Sequence, residues 1–258
     1  MPEKLRIISL SIDHLTFRDC LDTVIGWGKQ RRSSFVCFAN VHMIIEAYRS
    51  AAFLADVDRA SLVVADGKPV TAACWSLYRK KQERISGMDF MPAVLGAAEK
   101  EGLSIFLYGS SPAILDRLGA EITRRYPALR VGGMISPPFR PLSSEETDAH
   151  IETINQSGAQ LLLVSLGCPK QERWMADNYQ KVRAVCLGVG GAFPVMAGLQ
   201  RRAPRWMQNW GLEWFYRLLL EPKRMFPRYL KTNSLFIYLM GVERLKQKRK
   251  GSLTIKTK

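Results

Sequence analysis

LLLVSLGCPKQERWMADNYQKVRAVCLGVGG, Leu161 to Gly191, is the stretch on which the fold is decided. Leu161–Ser165 is an unbroken apolar run that ends in a small polar residue, as a strand buried on both faces does. Lys170–Val182 has the apolar spacing of an amphipathic helix, and Ala184–Gly188 is a second short run of strand type. Strand, helix, strand in this order predicts parallel strands joined by a crossover helix. The alternation repeats outward. Further strands are expected at Ser34–Phe38, Leu62–Ala65, Ser104–Tyr108 and Leu129–Met134. Amphipathic stretches lie at Val41–Val57, Met91–Lys100, Ser111–Tyr126 and Ser144–Ser157. The expected architecture is α/β: a Rossmann-like, mainly parallel sheet with helices on both faces. Pro137, Pro138 and Pro141 mark a loop, and a boundary near Gly198–Pro204 divides an α/β body (1–198) from a C-terminal appendage (199–258).

The two parts differ in charge. Residues 201–258 carry 15 Lys/Arg against Glu213, Glu221 and Glu243, a net +12 of the chain's +15, which leaves the first 200 residues at +3. In the appendage the charges alternate with Trp206, Trp210, Trp214, Phe215, Tyr216, Leu218 and Leu219, a pattern suited to a surface both anionic and greasy. That favours a membrane interface over nucleic acid, for which the near-neutral body offers neither a basic stripe nor a motif. Trp206, Trp210, Trp214 and Leu218 recur every fourth residue, so on one continuous helix they would share a face, turned to the core or to lipid headgroups. Leu235–Val242 is about half the length needed to span a bilayer. Met1–Phe17 has no uninterrupted apolar region and no small-residue cleavage site, so no signal peptide is read. Five cysteines without a CxxC pair predict reduced, mostly buried cytoplasmic thiols, and His14, His42 and His150 show no zinc-site spacing. No cofactor is expected.

In parallel sheets ligands bind at the carboxyl ends of the strands. Asn40 follows the Ser34–Phe38 run and reads either as the cap of the next helix or as an amide facing a sugar or nucleotide. Asp66-Gly67 follows Leu62–Ala65 and reads either as a turn or as a carboxylate whose burial would raise its pKa and suit it to general-base work. Arg84, in Arg84-Ile85-Ser86-Gly87-Met88-Asp89, is a candidate grip on phosphate or carboxylate, or a surface charge. Gly109-Ser110-Ser111 before a helix is a weak anion cradle. Gln171 opens a helix after Gly167-Cys168-Pro169-Lys170, and Gly188, Gly190 and Gly191 permit close backbone approach to a ligand. Asp56-Val57-Asp58 resembles the DxD pair of metal-dependent sugar transferases, but at a helix end.

In order and spacing these segments resemble the WecG/TagA/CpsF family of bacterial glycosyltransferases (glycosyltransferase family 26). The likeness runs from about Phe35 to Tyr229. It rests on Ala65-Asp66-Gly67, Arg84–Asp89, Leu166–Glu172, Val189–Phe193, Arg202–Trp206, Gly211–Leu218 and Glu221–Arg224. The resemblance implies an inverting, metal-independent transfer from a UDP-sugar to a polyprenyl-diphosphate-linked sugar at the cytoplasmic face of the bacterial inner membrane, for cell-surface polysaccharide. It implies Asp66 as general base, Asn40, Arg84 and Gln171 around the sugars, and Arg217 and Arg224 folded over the site onto the diphosphate. Where many relatives carry a third arginine this chain has Pro227, with Arg228 beside it. Where many relatives carry a Thr and an acid this chain has Phe38 and Pro194, so the donor need not be the N-acetylmannosamine typical of the best-known relatives; an N-acetylmannosamine-like sugar, glucose or a uronic acid is expected. The alternatives are a metal-dependent transferase using Asp56 and Asp58, and a non-enzymatic membrane- or nucleic-acid-binding protein. A homo-oligomer off the membrane is expected if the appendage's apolar face needs cover.

Overall fold

A computed structural model describes residues 2–255, apart from the side chains of Asn209, Arg224, Arg228 and residues 248–255. Glu3–Ile7 (β1) and Leu10–His14 (β2) form an antiparallel hairpin. The remaining strands are Ser34–Ala39 (β3), Leu62–Ala65 (β4), Ser104–Gly109 (β5), Arg130–Ile135 (β6), Leu161–Ser165 (β7) and Val185–Leu187 (β8). They build one six-stranded sheet in the order β4-β3-β8-β7-β5-β6, and every pair in it is parallel. The expected α/β fold is the observed one, and the strand positions agree to within a residue or two.

Strand alternation sends side chains into two cores. Phe35, Cys37 and Ala39 enter one core, Val36 and Phe38 the other. The first is covered by the hairpin and by Val41–Arg49 (α2), Ala51–Asp58 (α3), Lys68–Tyr78 (α4), Ser144–Gln156 (α7) and Lys170–Asn178 (α8). The second lies under Phe17–Lys29 (α1), Gly87–Lys100 (α5), Pro112–Arg125 (α6) and Ala192–Met196 (α9). The hairpin had no counterpart in the sequence reading. It contributes Leu5, Ile7, Leu10 and Ile12 to the first core. Its buried Asp13 accepts a hydrogen bond from the Val63 N–H of edge strand β4 at 2.8 Å, which satisfies a donor the sheet leaves open. Val41–Val57, expected as one helix, breaks at Ser50, whose hydroxyl caps α3 by accepting from Phe53 N at 3.2 Å.

The C-terminal part forms Arg205–Asn209 (α10), Glu213–Leu220 (α11) and Pro222–Ile255 (α12). The four-residue stripe of Trp206, Trp210, Trp214 and Leu218 therefore does not lie on one helix. Gly211 breaks it with a φ of +75°, at a spot where a Cβ would lie 3.0 Å from Lys68 Cβ. Nor is the stripe core: Trp206 is 59% exposed and Trp210 80%. α12 is not detached from the body, for it packs Phe236 and Leu239 into the first core beside α2 and α4. No helix among the described residues is long and apolar enough to cross a membrane.

Candidate active site

Because the sheet is parallel, its strands deliver their carboxyl ends to one edge, and there a cleft of about 970 Å³ opens. Asn40, Asp66, Ser110, Ser165 to Gly167 and Gly188 to Gly191 line it from the strand ends. Pro137 to Leu142 line it from the loop after β6, and Arg217 and Glu221 from the C-terminal segment.

Asp66 follows β4 directly, its N–H donating to Ala39 O at 2.9 Å. The next residue, Gly67, is the one that caps α4, so the carboxylate is not used as a cap. It accepts no hydrogen bond from any described residue. Burial pushes its pKa up to about 7, against the pull of Arg217 and Arg84 and with a further push from Glu213 and Asp89. A carboxyl group that loses its proton near neutrality is poised to take one from a hydroxyl.

Arg217 reaches the cleft from α11. Its Nη2 lies 3.6 Å from Met88 Sδ, and 3.6 Å from where a Cβ on Gly191 would stand. It has no carboxylate partner among the described residues. A guanidinium beside a cleft glycine, with only a thioether on its donors, can receive an anion.

The other expected site residues divide. Asn40 does cap α2, accepting from Met43 N at 3.1 Å, and it also lines the cleft. Gly190 and Gly191 are cleft residues, and Gly190 is tied in by Ser165 Oγ, which donates to its carbonyl at 2.8 Å. Gln171 lines the cleft, but its amide is occupied within the wall. Nε2 donates to Gly188 O at 2.9 Å and to Glu172 Oε1 at 2.7 Å, and Oε1 accepts from Gly167 N at 3.3 Å. It braces the loop after β7 against the loop after β8. Gly109 does not line the cleft. A Cβ there would come 2.3 Å from Ser165 O, so its close approach is to the neighbouring strand. Arg84 does not line it either and is paired with Asp89 at 2.7 Å and with Glu213. The side chains of Arg224 and Arg228 lie outside the described residues.

Asp56 and Asp58 lie on α3 and do not line the cleft. The described residues contain no cluster of three or more His, Cys, Asp or Glu able to hold a metal. Cys20, Cys37, Cys74 and Cys186 are buried, and burial raises their thiol pKa values, to about 12 for Cys20 and Cys186. Sequence reasoning passed over an aromatic pair in the cleft wall. There Tyr108 stacks on Trp174 at 4.5 Å between centroids, and its hydroxyl meets His150 Nδ1 at 3.1 Å. The available signal was an aromatic at the end of β5, directly before Gly109.

A doubly wound sheet whose strand-end cleft presents a titratable carboxylate and an unpaired guanidinium has the layout of a Rossmann-type group-transfer enzyme. The model of the WecG/TagA/CpsF family of glycosyl transferases matches residues 5–250, and the chain belongs to that family. Its activity class is thereby the transfer of a sugar from a donor to an acceptor.

Proposed function

We propose that this chain is an inverting glycosyltransferase that moves a sugar from UDP to a polyprenyl-diphosphate-linked sugar at the cytoplasmic face of the bacterial inner membrane, without a metal. The sugar is N-acetylmannosamine-like, glucose or a uronic acid. The observation that carries this reading is the joint presence of Asp66 and Arg217 in one cleft. Asp66 takes the proton of the acceptor hydroxyl as that oxygen attacks the anomeric carbon. The bond from that carbon to the β-phosphate oxygen breaks in line, and UDP leaves with its new negative charge against Arg217. Arg224 and Arg228 are proposed beside it from the sequence. The placement of Asp56 and Asp58 on α3, away from the cleft, supports arginine rather than metal as the source of positive charge.

Membrane attachment is supported by exposed Trp206, Trp210, Leu219, Phe226 and Leu230 among the basic residues of the C-terminal helices. The test is UDP release by the purified chain with a panel of UDP-sugars, with and without a polyprenyl-diphosphate-linked sugar, in chelator. Acceptor-dependent release with one donor is expected. Release only after Mg²⁺ or Mn²⁺ is restored would overturn metal independence, and donor-only release would overturn the acceptor class.

A further inference from the structure

Arg84, Asp89, Arg202 and Glu213 form a closed square of alternating charge. Asp89 gives one oxygen to each guanidinium: Oδ2 to Arg84 Nη2 and Oδ1 to Arg202 Nη1, both at 2.7 Å. Glu213 does the same, Oε2 to Arg84 Nη1 and Oε1 to Arg202 Nε at 3.4 Å. Ser86 Oγ adds a donor to Asp89 Oδ2 at 2.7 Å. All four side chains are a third exposed or less, from 17% for Arg84 to 32% for Asp89, so solvent screens the square less than it does a surface pair. Burial alone would raise the Asp89 pKa, but Arg202, Ser86 and Arg84 more than offset it and hold the group below its ordinary value.

Two of the four, Arg84 and Asp89, belong to the α/β body, where Asp89 sits in the first turn of α5. The other two belong to the C-terminal segment, where Glu213 is the first residue of α11. α11 has no fully buried side chain; its apolar contacts include α12 of its own segment, where Trp214 meets Tyr229 edge-on at 5.9 Å between centroids. Glu213 and Arg217 are one helical turn apart and project from the same face. Whatever holds Glu213 also aims Arg217 at Met88 and Gly191.

We infer that this square is a clasp that positions Arg217 over the cleft, and that Arg84 and Glu213 are positioning residues acting through Arg217. The inference rests on the reading of Arg217 as the diphosphate's partner. It accounts for an arginine that has two carboxylates and no place in the cleft wall. It also places the control of transition-state charge at a joint between the body and the segment proposed to lie on the membrane.

The test uses the full chain and two readouts. Hydrogen exchange of the α11 amides needs no ligand. In Glu213→Gln and in Arg84→Met, exchange at Tyr216–Leu220 is expected to rise about tenfold, with α8 keeping its protection. Unchanged exchange in both variants would overturn the clasp. The second readout is UDP affinity in a double-mutant cycle with Arg217→Met. Glu213→Gln is expected to weaken UDP binding about fivefold alone and less than twofold when Arg217 is already Met. Full multiplication of the two effects would overturn action through Arg217. If Arg217→Met leaves UDP affinity unchanged, the diphosphate reading fails, and the exchange result alone then decides whether the clasp exists.

Discussion

The wall of the cleft formed by residues 161–191 and the wall formed by α11 meet at Gly191, yet they are held by different forces. In the first, Gln171 spends its amide on Gly167, Gly188 and Glu172, and the strands beneath are buried throughout. In the second, no α11 side chain is fully buried; the helix leans on α12 through Trp214 and Tyr229 and is tied to the α/β body by a neutral square of four charges. α12 is intermediate, with Phe236 and Leu239 inside and Ile237 and Tyr238 more than 60% exposed. Asp66 stands at the end of a packed strand, whereas Arg217 rides on a helix tied to the α/β body by ion pairs. On the proposed mechanism the base would stay in place with the sheet, and the cation would depend on how the C-terminal segment is docked.

The contrast is broken most sharply at Asp66. Asp66→Asn should lower kcat by about 10²- to 10⁴-fold, the span of a lost general base, with donor affinity and fold retained. Turnover within a factor of ten of the parent would remove Asp66 from the mechanism. In the parent the rate should fall as pH drops through about 7, where the carboxyl takes up its proton. Arg217→Met should cost about 10²-fold in kcat. It should also move that acid limb to higher pH, because Arg217 is the strongest charge drawing the Asp66 pKa down. A slower variant with an unmoved limb would mean that Arg217 does not face Asp66 in the working enzyme.

How far the sequence revealed this depends on the reach of each contact. Leu62–Ala65 and Leu161–Ser165 were legible because strands buried on both faces leave unbroken apolar runs. β1 and β2 were not: each has five residues, and charged Glu3, Arg6 and Asp13 interrupt the pattern. Asp66 and Asn40 were found by the strand-end rule, which needs only local sequence. The partners of Gln171 and Arg84 could not be found that way. Gln171 is tied to Gly188, 17 residues on, and Arg84 to Glu213, 129 residues on; locally Arg84 read as a grip on phosphate or carboxylate or as a surface charge, and only the family resemblance set Gln171 near the sugars. The tryptophan stripe failed for a smaller reason, a single Gly at 211 that ends one helix before the next begins.

The exposed side of the contrast is tested on vesicles. Trp206→Ser combined with Trp210→Ser removes two indoles that contribute little to the core, so the fold should stand. Retention on vesicles containing anionic phospholipid should weaken about tenfold, and added salt should weaken it further. Equal retention would shift attachment away from α10. Substitution is a better probe here than ending the chain at 198, which would also strip Phe236 and Leu239 from the first core.

The smallest expected effect concerns the stability of the packed wall itself. The folded-state pKa of Asp66 is raised from 3.8 to about 7, so between those values the native state binds a proton that the unfolded chain releases. Stability therefore falls as pH rises through that window, and the penalty is complete above about 7. Asp66→Asn removes the charge and should raise Tm by about 2–4 °C at pH 8, with the gain vanishing below pH 4, where the carboxyl is protonated in both states. The opposing term is the attraction of Arg217 and Arg84, which the substitution also removes. Because the net shift is upward, burial outweighs that attraction while α11 is docked. A variant that melts lower at pH 8 would reverse the ranking and make the Asp66–Arg217 attraction one of the forces that dock the C-terminal segment.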